Sequence, residues 1–63
     1  MAPDEAAERV TAHVSDLDHD ARGVARVEGK VVFVEGGLPG ETVALHYTKR
    51  GRHYDQARAE EVL

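Results

Sequence analysis

The feature that most constrains the fold is a short apolar run, Val31-Val32-Phe33-Val34, with glycines close on both sides. β-branched and aromatic residues favour strands, and a run this short would be marginal as a helix. The preceding Glu28-Gly29 is typical of a two-residue hairpin turn, because primed turns require positive φ. The sequence therefore predicts two antiparallel strands, at residues 23–27 and 31–34, joined by this turn.

Alternating apolar and polar residues predict three further strands, at residues 9–15, 42–48 and 53–62. Leu38-Pro39-Gly40-Glu41 has the chemistry of a type II turn, since proline fixes φ at the first corner and glycine accepts the left-handed second corner. Five short strands without a covering helix bury their apolar faces most simply in a closed barrel. We therefore predict an all-β fold, a small five-stranded antiparallel barrel of the OB-fold-like kind. An open meander packed on a larger partner is the alternative.

The 63 residues fit one barrel at 9–63, preceded by a flexible acidic segment at 1–8. The chain has no cysteine for a disulfide or a thiolate metal site. It shows neither a signal-peptide pattern nor an apolar run of membrane length. We expect a cytoplasmic protein with no membrane partner.

The charge is unevenly distributed along the chain. The formal net charge is −4, but residues 21–58 hold seven Lys or Arg against four acids, whereas both ends are acidic. One surface could therefore be positive, and the net charge does not exclude a nucleic-acid partner.

Metal and catalytic patterns are weak. Asp16, Asp18 and Asp20 have the spacing that opens a calcium loop, but Ala21 stands at the sixth position instead of glycine and Val27 at the twelfth instead of glutamate. The four histidines have no ligand-pair spacing, and no nucleophile motif or phosphate-binding glycine loop is present. We expect no metal, no cofactor and no enzymatic activity in this chain alone.

The predicted hairpin register places Arg26 and Phe33 on the same side of the sheet. If Ala25, Val27, Val32 and Val34 form the core, Phe33 lies on the outer face beside a cation, a combination that can stack an unpaired base and hold its phosphate. The alternative is that Phe33 belongs to the core. A second candidate element is the turn Lys49-Arg50-Gly51-Arg52-His53-Tyr54, where OB-type barrels place a binding loop; its alternative is an ordinary solvated hairpin.

These segments resemble a known family. Gly-Val-Ala-Arg-x-x-Gly-Lys-Val-Val-Phe-Val-x-Gly-x-Leu-Pro-Gly-Glu at 23–41, followed by the basic turn and Tyr54-x-x-Ala57, resembles the TRAM domain, a small RNA-binding barrel of RNA-modifying enzymes. The sequence of these segments is most similar to the N-terminal domain of 23S rRNA (uracil-5-)-methyltransferases. Two departures are Ala21, where glycine is usual, and Glu35, where many members have proline.

The resemblance implies an RNA-binding accessory domain, with rRNA as the partner and a catalytic methyltransferase domain in cis. S-adenosylmethionine and an iron–sulfur cluster would belong to that parent enzyme and not to this chain. The alternatives are a complete stand-alone RNA-binding protein acting as an RNA chaperone, and a structural docking domain without RNA contacts. The residues predicted to bind RNA are Arg22, Arg26, Lys30, Phe33, Lys49, Arg50, Arg52, His53 and Tyr54.

Overall fold

The computed structural model describes residues 9–63 as five strands: β1 Val10–Leu17, β2 Gly23–Val27, β3 Lys30–Glu35, β4 Thr42–Lys49 and β5 Tyr54–Val62. They form a closed barrel in the order β1-β2-β3-β5-β4. The predicted five-stranded barrel is confirmed, and the open meander is not the structure. The prediction of a flexible segment at 1–8 lies outside the described residues. Residues 9–63 include no helix long and apolar enough to cross a membrane.

The β2–β3 hairpin has the predicted turn and register. Glu28 and Gly29 have φ values of 54° and 84°, so both central residues are left-handed, as a type I′ turn requires. Ala25 lies opposite Val32, and Val24 lies opposite Phe33. Because side chains alternate between the two faces, Val32 and Val34 point into the barrel and Phe33 points outward.

The barrel is closed by a parallel pairing that the sequence pattern did not reveal. The other four strand pairings are antiparallel, but β3 and β5 run parallel, with Phe33 opposite Gln56 and Val34 opposite Ala57. The predicted turn after β3 is present, since Gly40 has φ of 91° and the Glu41 N–H donates to the Leu38 carbonyl. This turn returns the chain to β1, where the Gly40 N–H donates to the Val14 carbonyl.

The interior is filled by small aliphatic side chains. Leu45 is the largest fully buried one, and the cluster comprises Ala12, Val14, Ala25, Val32, Val34, Val43, Leu45 and Ala57. Val27, predicted for the core, is only half-buried at its edge. A Cβ on Gly23 would lie 2.8 Å from the Gly37 carbonyl oxygen and 2.9 Å from a Val14 methyl group. A glycine is therefore required at position 23 for the loop after β3 to pack on the sheet.

The turn between β1 and β2 keeps a left-handed residue although it lacks a glycine. Ala21 has φ of 65°, a conformation that costs an L-residue roughly 1 to 2 kcal/mol. Glycine adopts it freely but loses more entropy on folding. We expect Ala21→Gly to stabilise the domain by about 0.5 to 1 kcal/mol, measured by urea denaturation. Ala59→Gly, a matched control in the extended β5, should destabilise it. An unchanged or lower midpoint for Ala21→Gly would contradict the left-handed turn.

Candidate nucleic-acid interface

One outer surface of the barrel carries aromatic and cationic side chains from three adjacent strands. Strand pairing places Arg26, Val31 and Tyr54 in one row, and Val24, Phe33 and Gln56 in the next. Phe33 is half-buried and lies outside the core cluster, which resolves its two alternative placements in favour of the outer face. We call this surface, defined by Arg22, Arg26, Phe33, Tyr54 and Gln56, the aromatic face.

Phe33 and Tyr54 form an aromatic pair at the centre of this face. Their ring centroids are 5.2 Å apart and the rings are inclined by 79°, an edge-to-face arrangement. Tyr54 remains 46% exposed, so part of this pair is open to a ligand. Stacking surfaces of this kind are sequence-tolerant, because every nucleobase has a π face.

The β1–β2 turn places Arg22 over Phe33. The Arg22 guanidinium carbon lies 4.5 Å from the Phe33 ring centroid. Asp18 fixes this arrangement: its Oδ1 accepts the N–H groups of Asp20 and Arg22, and its Oδ2 accepts Arg22 Nε at 3.0 Å. The hydrogen bond from the Arg22 backbone N–H is the main reason that the pKa of Asp18 lies below its ordinary value. Arg22 is therefore held in position with its charge paired.

The last residue of β4 and the β4–β5 connection form a basic loop, residues 49–53, beside the aromatic face. Together with the first residues of β5 it forms a cleft of about 190 Å³ lined by Lys49, Gly51, Arg52, His53, Tyr54 and Gln56. Tyr54 belongs to both the cleft and the aromatic pair. The cleft and the aromatic face are therefore one continuous surface.

A buried carboxylate anchors the basic loop. Asp55 is 2% exposed, and its Oδ1 accepts the Gly51 N–H at 2.9 Å. Lys30 Nζ lies 3.0 Å from Oδ1 and also donates to the Gly51 carbonyl, while Arg50 Nε lies 3.2 Å from Oδ2. Burial acts to raise the pKa of Asp55, but the Gly51 hydrogen bond and the two cations outweigh it and hold the pKa below its ordinary value.

The predicted cations thus fall into two groups. Lys30, Arg50 and Arg22 are each paired with a carboxylate, and the Arg50 guanidinium carbon also lies 4.0 Å from the Tyr47 ring centroid. Within residues 9–63, Arg26, Lys49 and Arg52 make no ion pair and are exposed. Glu35 stands where many TRAM domains have proline, and its negative charge is paired with Arg58 at 3.2 Å.

Of the predicted residues, the structure brings together Arg22, Arg26, Phe33 and Tyr54 on the aromatic face, and Lys49, Arg52 and His53 beside it in the cleft. Lys30 and Arg50 lie instead at the Asp55 anchor. Three residues that extend or position this surface, Gln56, Asp18 and Asp55, were not among those predicted to belong to it. Alternation along β5 could have placed Gln56 with Tyr54, and the spacing of Asp18 and Arg22 could have indicated a closed turn. Among residues 9–63, no group of three or more His, Cys, Asp or Glu side chains is arranged to hold a metal ion.

The chain is similar to several curated proteins that share one name. The chain is 53% identical over 53 residues to "23S rRNA (uracil(1939)-C(5))-methyltransferase RlmD" of Azoarcus sp. (strain BH72), covering 84% of this chain and 12% of the relative. The protein of the same name from Hahella chejuensis is 48% identical over 56 residues, covering 89% and 13%. That from Stenotrophomonas maltophilia (strain K279a) is 58% identical over 53 residues, covering 79% and 12%.

The chain thus spans about an eighth of the length of these relatives. Residues 5–59 match the family profile described as TRAM domain, which covers most of the chain and all of the aromatic face and basic loop. This match agrees with the resemblance carried by the β2–β3 hairpin and the turn after it. The chain therefore belongs to the TRAM domain family.

Proposed function

We propose that this domain binds single-stranded segments of RNA through the aromatic face and the basic cleft. The observation that carries the proposal is the continuity of the Phe33–Tyr54 pair with a cleft lined by Lys49, Arg52 and His53. Barrels of the OB kind bind oligonucleotides on the β2–β3 face and with the loops that follow β1 and β4. In this chain the β2–β3 face carries Arg26 and Phe33. The loop after β1 is the turn that carries Arg22, and the loop after β4 is the basic loop.

We further propose that the domain is the N-terminal RNA-recognition module of an S-adenosylmethionine-dependent 23S rRNA uracil-5-methyltransferase, acting in the cytoplasm. The names of the similar proteins support this context. Methyl transfer and its cofactors would then belong to a catalytic domain in cis. The contribution of this chain is affinity and orientation of the rRNA.

The unpaired cations predict how binding depends on salt. Arg26, Lys49 and Arg52 make no ion pair within residues 9–63, and each cation engaged on a single strand contributes roughly −0.7 to the slope of log K against log salt. We expect a slope of about −2, measured by fluorescence anisotropy with a labelled single-stranded RNA. Paired cations contribute less, because their charge is already balanced.

Arg52→Ser tests the place of binding. It should reduce the magnitude of the slope by about 0.7 without changing the melting temperature, since solvated loop cations contribute little to stability. Arg9→Ser is the control, because Arg9 is also exposed but pairs with Glu60 and Glu61, outside the cleft and the aromatic face. A wild-type slope near zero would overturn the electrostatic interface, and equal effects of the two variants would place binding elsewhere.

A further inference from the structure

Arg22 is the most completely fixed side chain on the aromatic face. Its Nη2 lies 2.8 Å from Asp18 Oδ2, its Nε donates to the same oxygen, and its backbone N–H donates to Oδ1 at 2.8 Å. A second carboxylate, Asp20, lies 3.8 Å from Nη2. The guanidinium is therefore oriented before any ligand binds, which reduces the entropy lost on binding.

The same contacts make Arg22 a poor ligand for phosphate. Two carboxylates balance its positive charge, and a phosphate approaching the guanidinium would also approach both of them. The planar surface of the guanidinium is unaffected by this pairing. The side chain is 36% exposed and lies over Phe33, which supports it from the barrel side.

We propose that Arg22 is the platform on which one unpaired RNA base stacks, with the guanidinium between the base and the Phe33 ring. This inference rests on the proposed RNA binding and assigns Arg22 a different role from the unpaired cations. Guanidinium planes stack on bases as aromatic rings do. Arg26, which is exposed and makes no ion pair within residues 9–63, holds phosphate instead. The domain would therefore favour unpaired nucleotides over a duplex at this position.

Arg22→Lys separates stacking from charge, because lysine keeps the positive charge but has no planar surface. With a labelled oligouridine of about twelve nucleotides, within the usual site size of such barrels, we expect roughly tenfold weaker binding and an unchanged salt slope. Arg9→Lys is the matched control, because Arg9 pairs with Glu60 and Glu61 outside the aromatic face, and it should bind like the wild type. Equal affinity of Arg22→Lys and wild type would overturn the proposal.

Asp18→Asn gives an independent test that does not remove the guanidinium. If Arg22 held a phosphate, freeing its charge would strengthen binding and steepen the slope by roughly 0.7, a result that would also overturn the stacking role. If Arg22 stacks, loss of its anchor should weaken binding without a steeper slope. Melting curves of the variants confirm that they are folded before binding is compared. Absence of oligouridine binding by the wild type would instead refute the RNA-binding function itself.

Discussion

Replacing Phe33 with alanine is expected to leave the barrel folded while weakening RNA binding by about 1 to 3 kcal/mol, the usual contribution of one stacked base. Phe33 lies on the outer face and supports Arg22, so its loss removes the stacking layer without opening a cavity in the core. Stability should fall by only about 1 kcal/mol, for the lost contacts with Tyr54 and Arg22.

Leu45→Ala is the contrasting variant, because it truncates a core side chain instead of one on the outer face. Leu45 is the largest fully buried side chain, and truncating a buried leucine costs about 2 to 5 kcal/mol. That loss is comparable to the whole stability expected of so small a domain, so this variant should be largely unfolded at 25 °C. Circular dichroism melts and RNA titrations of both variants give the comparison. Unfolding of Phe33→Ala together with tolerance of Leu45→Ala would show that the assigned core and outer face are reversed.

The β2–β3 hairpin could be predicted from sequence because local chemistry determines it. Glu28-Gly29 specifies a two-residue turn, the turn fixes the register, and the register decides which face each residue occupies. The sequence alone left open whether Phe33 or its neighbours face the core, because all four residues of the run are apolar. Closure of the barrel decides it, since only one face of β3 can meet the interior.

Strand pairings between segments distant in the sequence were harder to predict. The parallel β3–β5 contact depends on where the chain returns after β4, and no local turn specifies it. Bulges also made buried positions hard to predict. The register of β4 against β5 shifts between Ala44 and Leu45, and both residues are buried, whereas strict alternation would expose one of them. Alternation therefore predicted the strands but not every buried position.

The candidate interface was predicted in composition but not in the state of its charges. The prediction that Lys30 and Arg50 bind RNA assumed that both cations are solvated and free. Both instead contact the carboxylate of Asp55. Alternation from Tyr54 does place residue 55 inside the barrel. Because a buried aspartate requires charged or hydrogen-bonding partners, the predicted position of residue 55 already indicated that nearby cations pair with it.

Asp55→Asn is expected to lower the melting temperature by on the order of 10 °C, because the buried side chain loses its charge-assisted hydrogen bond and its pairing with two partly exposed cations. Asparagine can still accept the Gly51 N–H, but it cannot balance the charges of Lys30 and Arg50. Glu35→Gln makes the same chemical change in the exposed pair with Arg58 and should alter the melting temperature by no more than a few degrees.

The effect of Asp55→Asn should also depend on pH in a defined direction. Because the pKa of Asp55 is lower in the folded state, its carboxylate stabilises the fold above the ordinary value of about 3.9, and this stabilisation is lost as the pH falls through the folded value. The difference in melting temperature between wild type and variant should therefore be full at pH 7 and shrink below about pH 4. RNA affinity at pH 7 should fall although the variant is more positive, because the released basic loop no longer holds the cleft in shape. An unchanged melting temperature, or RNA binding strengthened by the lost negative charge, would show that Asp55 does not anchor the loop.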